Sequence, residues 1–309
     1  MLTLFTTAKP FVGHEAVIQR NALRSWKRLG PEVEVILFGE EKGAAEVAGE
    51  LGLRHEGYVE RSAGGTKRVD YLFARAAEMA RHEVLCYCNC DILLMGDFRR
   101  ALERVAAERE KFLLVGRRWD VNIAAAYDFA RGDWEERLRG LAKACARQRG
   151  PEWIDYFAFR RGLYASGMPG LVLGRVHWDN WLVWKALREG AAVVDASEAV
   201  VAAHQNHNYG YHPWGKTGVW NDEEAGRNYR LAGGWRHLRT IADAREKLVE
   251  GRVRANWGRH WSGAKRYGRQ AGRALRHEVW ERAWFWALGI TRPLRTAAGW
   301  RSRAAQRRA

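Results

Sequence analysis

Cysteine is scarce: the 309 residues contain four, Cys86, Cys88, Cys90 and Cys145. Three of them alternate along one apolar run, without a Cys-x-x-Cys pair or His partners at finger spacing. That argues against a structural zinc site. They read instead as small buried residues under a sheet in a reducing compartment. Long apolar runs are missing too. The first twenty residues include Lys9, His14, Glu15 and Arg20 and no stretch of signal-peptide length. Residues 279–290 are broken by Glu281 and Arg282 and fall short of the ~20 residues that span a bilayer. The expected location is therefore the cytoplasm. There is no internal repeat and no P-loop spacing. Acidic residues are nearly absent from 255–309, which hold 13 Lys and Arg against 2 acids. The net charge of +16 thus belongs mainly to that tail. No nucleic-acid motif accompanies the charge, so a nucleic-acid partner is not expected.

What is present is a hydrophobic content of 47%, enough for one large α/β domain with an appendage. Apolar strands are expected at 2–6, 33–38, 84–95 and 112–116, later at 191–195 and 200–203. Helical patterns are expected at 15–29, 42–51, 66–81, 98–110, 133–148 and 179–189. Strands alternating with helices of this length predict a mostly parallel sheet covered on both faces. Ligands of such sheets bind outside the carboxyl ends of the strands. Past His204 the sequence is rich in Asn, His, Tyr and Gly and reads as loop. The expected division is a domain over 1–250 and a basic, Trp/Arg-rich helical C-terminal tail over 251–309.

Five segments carry candidate chemistry. The run from Leu85 ends Asn89-Cys90-Asp91-Ile92. If the strand continues through it, Asn89 and Asp91 share one face. Two oxygen-bearing side chains there suit Mn2+ or Mg2+ with a nucleotide diphosphate; alternatively Asp91 caps the strand–loop junction. In His177-Trp178-Asp179-Asn180-Trp181, Asp179 reads either as an N-cap or as a general base for an acceptor hydroxyl. Trp178 and Trp181 offer flat amphipathic surface of the kind sugars pack on, with Asn180 between them; Trp184 is expected in the core. His204 and His207 follow a strand and read as metal or phosphate ligands, or as hydrogen-bonded structural residues. Lys67 and Arg68 open a helix and could meet phosphates, or simply be solvated. Asp155, an acid among aromatics, reads as an acceptor contact or as the partner of Arg160 or Arg161.

Taken along the chain, Asn89-Cys90-Asp91-Ile92-Leu93, Asp155-Tyr156-Phe157-Ala158-Phe159, Trp178-Asp179-Asn180-Trp181-Leu182, Val193-Val194-Asp195-Ala196 and His204-Gln205-Asn206-His207-Asn208-Tyr209 resemble a group of bacterial glycosyltransferase-like proteins with the nucleotide-diphospho-sugar transferase (GT-A) fold, over residues 2–215. The resemblance implies a Rossmann-type domain that moves a sugar from a nucleotide-sugar donor to an acceptor hydroxyl, with a hexosyltransferase-like activity in cell-surface or secreted glycan synthesis. It places Asn89 and Asp91 at the Asp-x-Asp motif, with Asn replacing the first acid. It makes Asp179 the base of an inverting displacement and His204 or His207 the completion of the metal shell. It puts residues 6–10, beginning with Thr6, at the nucleotide base. The alternatives are a non-catalytic glycan- or nucleotide-binding module of the same fold, kept open by Asn89, and a nucleotidyltransferase. The latter normally follows its first strand with a Gly-rich basic loop, which Thr6-Thr7-Ala8-Lys9-Pro10 is not. The tail interleaves Arg with Trp257, Trp261, Trp280, Trp284, Trp286 and Trp300. Such a segment suits an anionic membrane surface. That would hold the enzyme peripherally at the inner face of the cell membrane, near glycan or lipid-linked acceptors.

Overall fold

A computed structural model describes residues 2–145, 147–207 and 215–258. Each apolar run near the start becomes a parallel strand, because a helix follows it and carries the chain back over the sheet. The order is β1 (Leu2–Thr7), α1 (Gly13–Lys27), β2 (Glu34–Phe38), α2 (Ala44–Leu51), β3 (Arg54–Glu56), α3 (Val69–Met79) and β4 (Val84–Cys88). Then come β5 (Ile92–Leu93), α4 (Gly96–Glu108), β6 (Phe112–Val115), β7 (Arg118–Val121), α5 (Trp134–Cys145), β8 (Arg147–Gln148) and β9 (Tyr156–Arg160). The chain continues with α6 (Trp178–Arg188), β10 (Ala192–Asp195), β11 (Ala202–Gln205), α7 (Gly215–Asn221), α8 (Glu223–Leu231), β12 (Glu246–Val249) and β13 (Arg252–Ala255).

Nine strands form the main sheet in the order β13-β12-β10-β6-β9-β4-β1-β2-β3. All neighbours are parallel except around β9, which runs against β4 and β6, and at the β12–β13 hairpin. The fold is therefore α/β, with a large mostly parallel sheet flanked by helices. The period of two along each strand sorts the core. Leu4 and Cys86 face a cluster shared with Trp26, Val47 and Phe98 of α1, α2 and α4. Their neighbours Phe5 and Leu85 face Leu72, Phe73 and Leu182 of α3 and α6. Each fully buried large apolar side chain contributes roughly 1.5–3 kcal/mol. Cys86, Cys88 and Cys90 are buried and unbridged, as their spacing suggested.

The second sheet was not foreseen. It has the order β5-β11-β7-β8 and is built from strands of two to four residues. Strands this short carry no readable hydrophobic period. Three secondary-structure expectations need correction. The strand expected over 84–95 stops at Cys88, and Asn89, Cys90 and Asp91 form a turn before β5 in the other sheet. Asn89 and Asp91 therefore do not share a strand face. The helix expected over 133–148 ends at Cys145, because residues 147–148 pair with β7. The segment past His204 is not simply loop, since it contains α7, α8 and the β12–β13 hairpin. The expected domain limit at residue 250 falls inside that hairpin, which belongs to the main sheet. Among the described residues no helix is long and apolar enough to cross a membrane. Trp261, Trp280, Trp284, Trp286 and Trp300 lie outside the described residues.

Candidate metal centre and its acidic surroundings

The small sheet brings together residues that are far apart in sequence. β11 pairs with β5 on one side and β7 on the other, which sets His204 opposite both Ile92 and Asp120. Asp91 immediately precedes β5. Its carboxylate Oδ2 lies 3.7 Å from His204 Nε2 and 3.0 Å from His207 Nε2. These three residues offer ligand atoms all within 4.8 Å of one another. The turn is fixed from below. The fully buried Trp26 donates its indole N–H to the Ile92 carbonyl at 2.9 Å. Gln205 N donates to the Asp91 carbonyl at 3.1 Å.

The donor set fits a divalent ion. Among the described residues Asp91 Oδ1 is buried without a hydrogen-bond partner, which is costly for a carboxylate oxygen unless a cation meets it. Burial opposes ionisation of Asp91, but the imidazoles of His204 and His207 hold its carboxyl well below the usual range. One carboxylate and two imidazoles suit Mn2+ better than Mg2+, which prefers an all-oxygen shell.

Asn89 is engaged within the protein: its Nδ2 donates to Asp155 Oδ1 at 2.8 Å, and its Oδ1 accepts from Tyr87 at 3.1 Å. Because β9 is antiparallel, its start lies beside the end of β4, with Cys88 opposite Tyr156. That is why Asp155 reaches Asn89. Asp155 pairs with the buried Arg118, at 3.0 and 3.1 Å. The expected partners Arg160 and Arg161 instead donate to backbone carbonyls: Ala106 for the first, and Ala77, Ala80 and His82 for the second. Thr6 is buried in β1, and the strand ends at the partly buried Thr7. Lys67 is also buried. It donates to Thr7 and to the Ala8 carbonyl, and pairs with Glu41 at 2.6 Å. Burial pushes its ammonium pKa down, against the pull of Glu41. Arg68 pairs with Asp70 and Glu60.

Asp179 lies in the first turn of α6. It is not the N-cap, because the helix begins at Trp178 and the cap position falls on His177, whose φ of 86° is left-handed. Burial, joined by the negative charge of Asp155, pushes the Asp179 carboxyl up to about 7 against the backbone N–H of Asn180. Trp178 and Trp181 are inside: Trp178 packs on Tyr87 and Phe157 at 5.3 and 5.6 Å, and Trp181 is 3% exposed. Trp184 is only partly buried, and stacks on His237 at 4.0 Å. Asn180 donates its side-chain amide to the Arg239 carbonyl at 3.0 Å.

Asp120, Arg118 and Arg149 escaped the sequence reading. Asp120 Oδ1 lies 3.3 Å from His204 Nδ1 and accepts from Arg118 at 3.0 Å, while Arg149 donates to Oδ2. Burial opposes ionisation of Asp120, but His204 and Arg118 keep its carboxyl well below the usual range. The only available signal was the Arg-x-Asp alternation at 118–120, which puts two charges on one face of a strand.

No family model matches the sequence, and no curated protein matches it. Solved structures similar in shape include the following three proteins. S. aureus TarS 1-349, in complex with UDP-GlcNAc, gives a TM-score of 0.46 at 11% identity, over 67% of this chain and 58% of that one. Glucosyl-3-phosphoglycerate synthase from Mycobacterium tuberculosis, with Mg2+ and UDP, gives 0.40 at 14%, over 67% and 72%. The mannosyltransferase PcManGT from Pyrobaculum calidifontis, with GDP-Man and Mn2+, gives 0.42 at 14%, over 69% and 59%. The chain thus spans less than two thirds of the TarS fragment.

Proposed function

We propose that the chain is a metal-dependent glycosyltransferase of the GT-A type, moving a sugar from a nucleotide-diphosphate donor to an acceptor hydroxyl with inversion. The observation that carries the reading is the Asp91–His204–His207 cluster beyond the carboxyl end of β4, with its orphaned carboxylate oxygen. Mn2+ held there would neutralise charge on a leaving diphosphate. Asp179 suits the base: a carboxyl near neutrality accepts a proton from a hydroxyl and gives it up again at physiological pH. Burial keeps that carboxyl basic, helped by the charge of Asp155, which is itself fixed by Arg118 and Asn89. Lys67 and Arg68 belong to the donor side in this reading. The proteins of similar shape bind UDP-GlcNAc, UDP or GDP-Man, which sets the first donors to try. A donor-binding module without turnover is the second reading, favoured by the internal engagement of Asn89. The glycan or lipid-linked acceptor, the cytoplasmic setting and the membrane-facing role of residues 251–309 complete the proposal.

A thermal-shift panel of UDP-, GDP-, CMP- and dTDP-sugars, with and without Mn2+, tests the donor site. A ligand at a hundred times its dissociation constant stabilises the folded state by about 2.7 kcal/mol. The expected result is a Mn2+-dependent shift with one nucleotide class, lost in Asp91→Ala. No shift with any donor would remove the nucleotide-sugar reading.

A further inference from the structure

We infer that Asp120 is a positioning residue that fixes the His204 ring with its proton on Nδ1, leaving the Nε2 lone pair directed to the Asp91 side. The inference rests on the metal reading above. His204 is 6% exposed and lies in β11 between β5 and β7. Its ring spans two carboxylates: Nδ1 lies 3.3 Å from Asp120 Oδ1, at ion-pair distance but outside hydrogen-bond geometry, so that a small rotation of the ring completes the contact, and Nε2 lies 3.7 Å from Asp91 Oδ2. A neutral imidazole has one donor and one acceptor nitrogen. The side that receives the proton therefore decides whether Nε2 can ligate.

Three features give the decision to Asp120. Asp91 Oδ2 already has a nearer imidazole, His207 Nε2 at 3.0 Å, so it has less need of a proton from His204. Asp120 faces the buried Nδ1, and the opposite tautomer would set a lone pair against its carboxylate. The Asp120 side chain is also held rigidly, by Arg118 at Oδ1 and Arg149 at Oδ2. Arg118 is anchored in turn by Asp155 and lies over the Trp153 ring, 4.7 Å from its centre. The carboxylate is thus fixed before any ion arrives. A carboxylate behind a ligating histidine orients the ring and raises its basicity. Arg118 bridges Asp120 and Asp155, so the same cation supports both the metal side and the Asp179 side of the site.

The first test needs no mutation. Long-range 1H–15N correlation on the metal-free wild type at pH 8, with the His204 signals assigned by their loss in His204→Gln, reads the tautomer directly. The expected ring carries its proton on Nδ1, and a proton on Nε2 would overturn the inference. The second test is Mn2+ affinity by calorimetry. Asp120→Ala should weaken it about 10–100-fold, and Asp120→Asn, which keeps an acceptor oxygen, should recover most of the loss. Wild-type affinity in a folded Asp120→Ala protein overturns the inference and leaves the metal reading standing. A wild type that binds no Mn2+ overturns both.

Discussion

The two ends of the site treat their carboxylates in opposite ways. At the small sheet, Asp91 and Asp120 face imidazoles and guanidiniums and are held ionised despite burial. At the start of α6, Asp179 sits between the core residues Trp178 and Trp181, with another carboxylate as its charged neighbour, and is pushed up to about 7. Burial acts on both ends, so the partners decide. Under the proposed function, one end would meet a cation and the other would exchange a proton. Carboxyls driven apart in this way mark separate roles within one site.

The largest effect is expected from removing the metal-side acid. Asp91→Ala should abolish Mn2+-dependent donor binding and turnover together, read by calorimetry and by nucleotide release. Substituting the other carboxyl should separate the two. Asp179→Asn should lower kcat roughly 10²–10⁴-fold while donor affinity stays within about twofold, the sign of an interaction made only in the transition state. The same substitution should raise stability by an amount that grows with pH. Asp179 has a raised folded-state pKa, so its favourable contribution is complete below the unfolded value of about 3.9 and is lost as pH rises through about 7. The Asn variant escapes that loss and should gain a few degrees in Tm relative to wild type between pH 4 and pH 8. In the wild type, kcat should fall on the acid side of pH about 7 with unit slope, as the base becomes protonated; a profile flat to pH 5 would remove Asp179 from that role.

The smallest effect sharpens the boundary between the two ends. Asn89→Asp would restore a second acid to the Asn-x-Asp motif. Here, however, the new carboxylate would face Asp155 where an amide now donates at 2.8 Å. It should cost about 1–3 kcal/mol of stability, read by urea unfolding, and should not tighten Mn2+ binding. Tighter Mn2+ binding would show that Asn89 belongs to the metal end after all.

Five strands of the main sheet, β1, β2, β4, β6 and β10, were legible because they are apolar runs of four to six residues separated by helices with a clear amphipathic period, whereas β3, β9, β12 and β13 were not foreseen. Leu2–Thr7, Glu34–Phe38 and Phe112–Val115 each fall within a residue or two of the expected bounds. The small sheet was not, because Ile92–Leu93 and Arg147–Gln148 are two residues long and gain their pairing only from tertiary contact. The candidate ligands Asp91, His204 and His207 were visible as polar residues after apolar runs. Their convergence depended on β11 entering between β5 and β7, which no local pattern encodes. Asp120 was hidden for the same reason: on β7 it is one acid in a short charged strand, and its meaning comes from the register that sets it against His204. Trp178 and Trp181 showed the opposite failure. Their composition suggested a sugar platform, but the helical face that carries Leu182 and Val183 carries them into the core as well.

The most direct measurement is a Mn2+ titration followed by electron paramagnetic resonance, with and without UDP and GDP, on wild type, His204→Ala and His207→Ala. The two-imidazole, one-carboxylate site predicts that wild type depletes the free Mn2+ signal at one equivalent. One of the nucleotides should tighten that binding, and each His variant should weaken it. Equal depletion in all three proteins, or none in any, would contradict the assignment of a metal-dependent donor site to Asp91, His204 and His207.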